Sequence, residues 1–292
     1  MKKDILVTKA SGETEPFSVK KLRRSLEKAK ATPGEIDALI SELEPRLYKG
    51  ISTKKIYSEA FRLLRKFSKP HAARYHLKRG IMELGPSGFP FEKFIGKLIE
   101  HEGYEVLVDQ TVAGQCVSHE IDVIGHKKNE LLLVECKYRN RAGIAVDVKT
   151  PLYIQARFED VLAGGQLMQA GKNFSGWVAT NSKFTADAIA YALCKGMKLL
   201  SWDYPAGNPL REIIDRSGLY PLTCLNTLTR QEKQFLLAKN HVLVRDIYRD
   251  EKVLTMAGLT EKRLRQLQDE ARNLCNTTNG TEEITSDKFV RN

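Results

Sequence analysis

The chain has 292 residues, 42% hydrophobic and 28% charged, which gives two or three packed cores and excludes a disordered chain. Its net charge of +11 is concentrated at one end: residues 1–86 hold 20 Lys+Arg against 10 Asp+Glu, and residues 87–205 hold 13 against 14, so a polyanion, nucleic acid first, is the expected partner. Five cysteines without a C-x-x-C pair argue against a disulfide scaffold or zinc finger and for a reducing, cytoplasmic setting, and no run approaches the ~20 apolar residues of a membrane span.

In chain order, Ile5-Leu6-Val7 reads as a strand, Ala10-Ser11-Gly12-Glu13 as a turn, and Ser18 as the cap of a helix. Further helices are expected after Pro33, after Ser52-Thr53 and from Pro70. Ile36, Leu39, Ile40 and Leu43 fall at helical spacing, as do Ile56, Ala60, Leu63 and Leu64. The breaker cluster from Gly85 to Pro90 separates a small, mostly helical domain, 1–86, from the rest of the chain.

Residues 87–204 read as α/β. A helix over Phe91–Glu102 carries one apolar stripe, Tyr104–Val108 is a strand, and Glu120–Gly125 and Leu131–Tyr138 form a hairpin. A helix is expected over Pro151–Ala170, then a strand at Gly176–Thr180, a helix at Ala186–Leu193 capped by Thr185, and a strand at Met197–Trp202. That last trio is a β-α-β unit, so part of the sheet should be parallel. Residues 205–275 read as helical, at 228–239, 242–248 and 261–274. From 276 to 292 the chain is polar and expected to be disordered.

The chemistry sits on the hairpin. With a loop at Lys127–Glu130, His126 faces Leu131 and Asp122 faces Glu135, with Cβ atoms about 5 Å apart. Lys137, two residues after Glu135, shares its face, whereas Cys136 points into the core. Leu131–Val134 is apolar on both faces and so marks an inner strand, where Glu and Lys are costly without partners. Two carboxylates and an ammonium suit a hard divalent ion, Mg²⁺ or Mn²⁺, that takes oxygen ligands and acidifies a bound water. Lys137 would orient or deprotonate that water, or offset phosphate charge.

Residues 89–204 resemble the catalytic domain of Mrr-type restriction endonucleases, within the PD-(D/E)XK superfamily. The resemblance rests on Phe91-Glu92, Glu120-Ile121-Asp122, Val134-Glu135-Cys136-Lys137 and Phe184-Thr185 with Ala188 and Ala192. It implies that Asp122 and Glu135 bind Mg²⁺, that Lys137 assists the water, that Glu92 adds to the metal site and that Gln155 joins from the helix after the ExK strand. Arg139, Arg141 and Arg157 are candidates for DNA phosphate, and His119 for a local hydrogen bond.

Residues 4–84 resemble an ATP-cone, through Val7-Thr8-Lys9-Ala10-Ser11-Gly12, Glu15-Pro16-Phe17-Ser18, Lys20-Lys21-Leu22, Ile51-Ser52 and Ala72-Ala73-Arg74-Tyr75. A strand–turn with Gly12 before a Lys-rich helix start offers N–H groups and cations to a triphosphate. The resemblance implies ATP or dATP held at Lys9 and Lys21, with Gly12 and Lys20 beside them; Ala10-Ser11 replaces the family's usual arginine and acidic residue. The expected protein is therefore a Mg²⁺-dependent DNA endonuclease regulated by adenine nucleotide, working as a homodimer where both strands are cut. The alternatives are a nucleotide-responsive DNA-binding regulator without cleavage, or a nuclease acting on RNA or branched DNA.

Overall fold

The computed structural model describes residues 5–276 except 10, 142, 168–172 and 249. Ala10 of the basic turn, the end of the helix expected to reach Ala170, and the tail from 277 lie outside the described residues.

The N-terminal part pairs β1 (Leu6–Thr8) antiparallel with β2 (Thr14–Pro16) and parallel with β3 (Ile51–Ser52). Gly12 takes φ +88 in the turn, a conformation only glycine adopts freely. Four helices complete it: α1 (Val19–Lys28), α2 (Pro33–Leu43), α3 (Thr53–Phe67) and α4 (Lys69–Met82). Ser18 caps α1 by accepting the Lys21 N–H, and Thr32 with Glu35 forms a capping box on α2. β2 and β3 carry no periodicity signal because they are three and two residues long. Leu26, Leu39, Leu63 and Leu64 fill the core between the helices.

The second part is α5 (Phe89–His101), β4 (Glu105–Ala113), β5 (Ser118–Lys127), β6 (Glu130–Lys137), α6 (Lys149–Ala163), β7 (Asn173–Thr180), α7 (Ala186–Cys194) and β8 (Lys198–Leu200). The sheet order is β4-β5-β6-β7-β8, antiparallel up to β6 and parallel from β6 to β8. This is a mixed α/β sheet flanked by helices. β6 is its central strand, and Leu131–Val134 are at most 1% exposed. Leu132, Val134 and Cys136 pack with Phe91, Phe94 and Ile95 of α5, while Leu131 and Leu133 pack with Ile154 and Phe158 of α6. β4 outruns its expected end at Val108 by five residues, because the polar run Asp109-Gln110-Thr111 interrupts the apolar signal before buried Val112. α6 ends at Ala163, where Gly164 and Gly165 come next in the chain.

The C-terminal part adds α8 (Leu210–Ser217), α9 (Arg230–Ala238), α10 (Val244–Ile247), α11 (Glu251–Met256) and α12 (Glu261–Asn276). Its core is continuous with the α5 face of the sheet and with α4, through Ala73, Leu77 and Ile81. α4 is fastened there by polar contacts as well. Thr223 Oγ1 donates to the Gly80 carbonyl at 2.7 Å, and buried Arg74 donates to Tyr220 Oη at 3.1 Å and to the Leu274 carbonyl at 3.2 Å. A Cβ at Gly80 would lie 2.6 Å from Cys224 Sγ, so the helix can approach this closely only with glycine there. The last helix of the N-terminal part is thus structurally part of the C-terminal core.

Candidate active site

The hairpin that carries the motif closes more tightly than expected. Lys127 pairs with Glu130, leaving a two-residue turn at Lys128-Asn129. Both strands gain one residue, so His126 still faces Leu131 and the faces are unchanged. The ladder stops at Val123↔Val134, one pair short of Asp122 and Glu135. On the other side of β5, the pairs Val108↔Val123 and Gln110↔Ile121 flank a gap at Asp109 and Asp122, and Asp109 stands at φ +59. β5 therefore parts from both neighbours at Asp122. Ile121 and Ile124, three residues apart, both enter the core under α6, so the alternation slips once there. The freed Asp122 carboxylate turns to β6 and accepts the Cys136 N–H through Oδ2 at 2.6 Å, in place of facing Glu135 across a regular ladder.

Glu135 is 3% exposed, a position where an isolated carboxylate would not stay ionised. Two cations hold it. Lys137 Nζ donates to Oε1, and Arg157 Nη1 on α6 donates to Oε2 at 2.7 Å and to the Glu120 carbonyl at 3.0 Å. Tyr153 Oη, one turn earlier on α6, accepts from Arg157 Nη2 at 2.7 Å. Arg157 Nε is buried with no hydrogen-bond partner among the described residues. The segment after β6 is clasped from β7: Thr180 Oγ1 donates to the Lys137 carbonyl at 2.6 Å, and Asn181 exchanges two 2.8 Å bonds with the Arg139 backbone. Tyr138 Oη accepts the Gly85 N–H at 2.9 Å and donates to the Met82 carbonyl, tying this strand end to the end of α4.

The acidic side is under electrostatic tension. Burial first, then the Glu135 charge, pushes the Asp122 carboxyl up to about 6. Burial, then Asp122, then Asp109, pushes Glu92 at the start of α5 up to about 7. Three carboxyl groups from α5, β5 and β6 thus feel one another, with Asp109 at the kink of β4. Burial raises the Cys136 thiol well above its ordinary range, so it is a core group and not a nucleophile.

A divalent ion fits this donor set under one condition. Among the described residues no three His, Cys, Asp or Glu side chains converge into a ready-made cage. Asp122 and Glu135 are hard oxygen donors, each with lone pairs beyond the hydrogen bonds it accepts. Mg²⁺ is commonly held by one or two carboxylates and keeps several waters, so two donors suffice for it and would not for a structural zinc. Burial and the neighbouring carboxylates raise Asp122 and Glu92, and a cation placed among them would relieve both.

The other expected residues lie at several places around this cluster. Gln155 does not join it: its amide donates to Glu159 at 2.9 Å, because a two-residue offset on α6 puts it on the flank opposite Arg157. His119 Nε2 lies 2.7 Å from Asp160 Oδ2, a local pair that holds the Asp160 carboxyl down to about 2. Arg139 and Arg141 line a small basic cavity of about 100 Å³ with Lys78 and Lys183, past the end of β6. In the N-terminal part, Glu15 draws Lys9 (3.2 Å) and Lys21 (3.1 Å) together, while Lys20 stays exposed beside them. Arg157 and Asp109 are members that sequence patterning does not find as such. The available signal for Arg157 is its place on the edge of the apolar stripe of α6; a left-handed Asp within a strand leaves none.

Family models match three successive stretches: an ATP cone domain at residues 5–77, a restriction endonuclease domain at 85–204, and an AF1548-like C-terminal region at 220–275. The chain is 32% identical over 179 residues to an uncharacterized protein of Archaeoglobus fulgidus, a match spanning 61% of this chain and 98% of that protein. It is similar to the crystal structure of AF1548, a protein of unknown function, at 30% identity and a TM-score of 0.54, over 65% of this chain and 100% of that one. The MspJI restriction endonuclease in complex with a 27-mer oligonucleotide is a distant likeness, at 12% identity and a TM-score of 0.27 over 54% of this chain and 34% of that one. No helix among the described residues is long and apolar enough to cross a membrane. With 98% of that relative and 100% of the AF1548 chain covered, and the AF1548-like C-terminal region matched at 220–275, the chain belongs to the AF1548-like family.

Proposed function

We propose that the protein is a divalent-metal-dependent DNA endonuclease whose reacting groups are Asp122, Glu135 and Lys137, with Glu92 and Arg157 beside them, and that adenine nucleotide binding at the cone regulates it. One observation carries the reading: a buried glutamate and a half-buried aspartate meet at the point where β5 parts from its neighbours, with a lysine on the glutamate. A bound Mg²⁺ would supply Lewis-acid polarisation of the phosphate and a more acidic water. Asp122 and Glu135 would hold it. Lys137 Nζ, released in part from Glu135, orients the attacking water and meets charge developing on the phosphate. Arg157 holds the Glu135 carboxylate in place through its 2.7 Å bond to Oε2. Glu92, with its carboxyl near neutrality, can hold a proton or a metal-bound water. The cone supports the regulatory part, with Lys9 and Lys21 gathered at a glycine turn.

The test is direct. Full-length protein is incubated with supercoiled plasmid in Mg²⁺ or Mn²⁺, and with EDTA. Nicked or linear product that disappears with EDTA is the expected outcome. Intact plasmid, single strand, branched DNA and RNA under both metals would overturn the nuclease reading.

A further inference from the structure

An open groove of about 470 Å³ runs between the N-terminal part and the rest of the molecule. Its lining is mainly basic, with Arg211 also donating to Glu212 at 2.9 Å and Lys21 to Glu15 at 3.1 Å. α1 presents Lys21, Arg24 and Lys28 along one face, α4 presents Lys78, and Arg211 enters from α8. The sole carboxylate among the lining residues, Asp215, already accepts from Tyr220 Oη at 2.9 Å. Burial lowers the Lys28 ammonium, with Arg211 and Arg24 adding repulsion, and burial lowers Lys78, with Lys183 adding to it. Cations crowded in this way are relieved by an anion of several charges.

The groove also has aromatic walls. Tyr57 and Tyr75 stack at 5.0 Å and 12° on the N-terminal side. Opposite them, Trp202 sits just after β8 and carries Lys78 Nζ 5.6 Å from its ring centroid. Cations for phosphates and rings for a base are the two elements a nucleotide requires. Lys78, Trp202 and Arg211 all fall outside residues 5–77 matched by the ATP cone.

We infer that this groove is a composite nucleoside-triphosphate site, completed by Lys78, Trp202 and Arg211, so that the ligand clamps the cone to the nuclease part. The inference rests on the proposal that the cone binds nucleotide; the groove shares Lys21 with the glycine turn and extends the contact to residues beyond the cone. A groove of this size takes a single nucleotide. α4, which walls the groove through Lys78, ends one turn later at Met82, whose carbonyl accepts from Tyr138 beside Lys137, so occupancy is mechanically close to the reacting end.

The experiment uses the full-length protein. Of its two tryptophans, Trp177 is replaced in a Trp177→Phe variant, leaving Trp202 as the only one. ATP is titrated against Trp202 emission, and labelled ATP is measured in parallel by equilibrium dialysis in the wild type, Arg211→Ala and Arg211→Glu. A saturable emission change with the dialysis midpoint is expected, as is binding weakened about ten-fold or more in both Arg211 variants, the scale of one lost charge-assisted contact. ATP retained with Trp202 silent and both Arg211 variants unaffected would overturn the composite site and leave nucleotide binding by the cone. No retention of ATP or dATP by the wild type would remove the nucleotide reading as well. A single-stranded oligonucleotide that occupies the groove and is not displaced by ATP would also overturn the inference. The dialysis arm does not depend on the Trp177→Phe variant folding.

Discussion

Lys137→Ala is expected to lower plasmid cleavage by about two to three orders of magnitude, the scale seen when one preorganised transition-state donor is removed. The loss should fall on the chemical step. Lys137 stands at the end of β6 with its side chain 30% exposed, and Glu135 keeps Arg157 as a partner when the ammonium is gone. The fold should therefore tolerate the change, and DNA affinity measured in Ca²⁺ should shift little. Asp122→Asn should abolish cleavage to a similar degree by another route. Asparagine still offers an oxygen to the Cys136 N–H, so the local geometry persists while the charge is lost. Cleavage by both variants within ten-fold of the wild type would contradict the assignment. The comparison is made in single-turnover cleavage assays, with folding checked by circular dichroism.

The second large effect is on stability and runs the opposite way. Asp122 and Glu92 have folded-state carboxyls raised to about 6 and about 7, above their ordinary values of 3.8 and 4.5. Below pH ~3 both are largely protonated folded or unfolded, and nothing is lost. As pH rises towards 7 the folded protein holds protons that the unfolded chain has released, so stability falls; above that it levels off. Each such proton is worth about 1.4 kcal/mol per pH unit across the window. In EDTA at pH 7.5, Asp122→Asn is then expected to be more stable than the wild type by about 2 kcal/mol, with no gain at pH ~3. Mg²⁺ should narrow the gap by stabilising only the wild type, through binding to the folded state. Thermal melts of both proteins at the two pH values, with and without metal, provide the check. A variant less stable than the wild type in EDTA at pH 7.5 would show that the carboxylates are not under tension.

The two features point to one design. A site that gathers carboxylates where a strand leaves its sheet gives up stability in the absence of a cation. Lys137 and Arg157 recover part of it at Glu135, whereas burial and neighbouring carboxylates are the leading influences on Glu92.

Much of this arrangement is legible in the amino-acid sequence, for identifiable reasons. Leu131–Val134 announces an inner strand because four consecutive apolar residues can only be buried on both faces. The two-residue period then separates Glu135 and Lys137 from Cys136 whatever the turn does. The turn itself is shorter than expected without consequence, since pairing Lys127 with Glu130 lengthens both strands together. What pattern cannot carry is the break at Asp122. It depends on Asp109 adopting φ +59 in a neighbouring strand, a tertiary outcome. Arg157 escapes pattern as a site member for the same reason: its role is fixed by how α6 lies on the sheet, and Gln155, two residues earlier, looks equally eligible until that packing is known. The sharing of α4 between the N-terminal and C-terminal parts is likewise invisible, because its apolar residues read as one helix face whichever core they enter.

The central claim, that Asp122 and Glu135 jointly hold a divalent ion for phosphodiester hydrolysis, is tested most directly by a crystal of the protein soaked in Mn²⁺ and measured at the manganese edge. An anomalous peak within coordination distance of both carboxylates, lost in Asp122→Asn crystals, is the predicted result. A fully soaked crystal with no peak between Asp122 and Glu135, in protein that cleaves DNA, would contradict it.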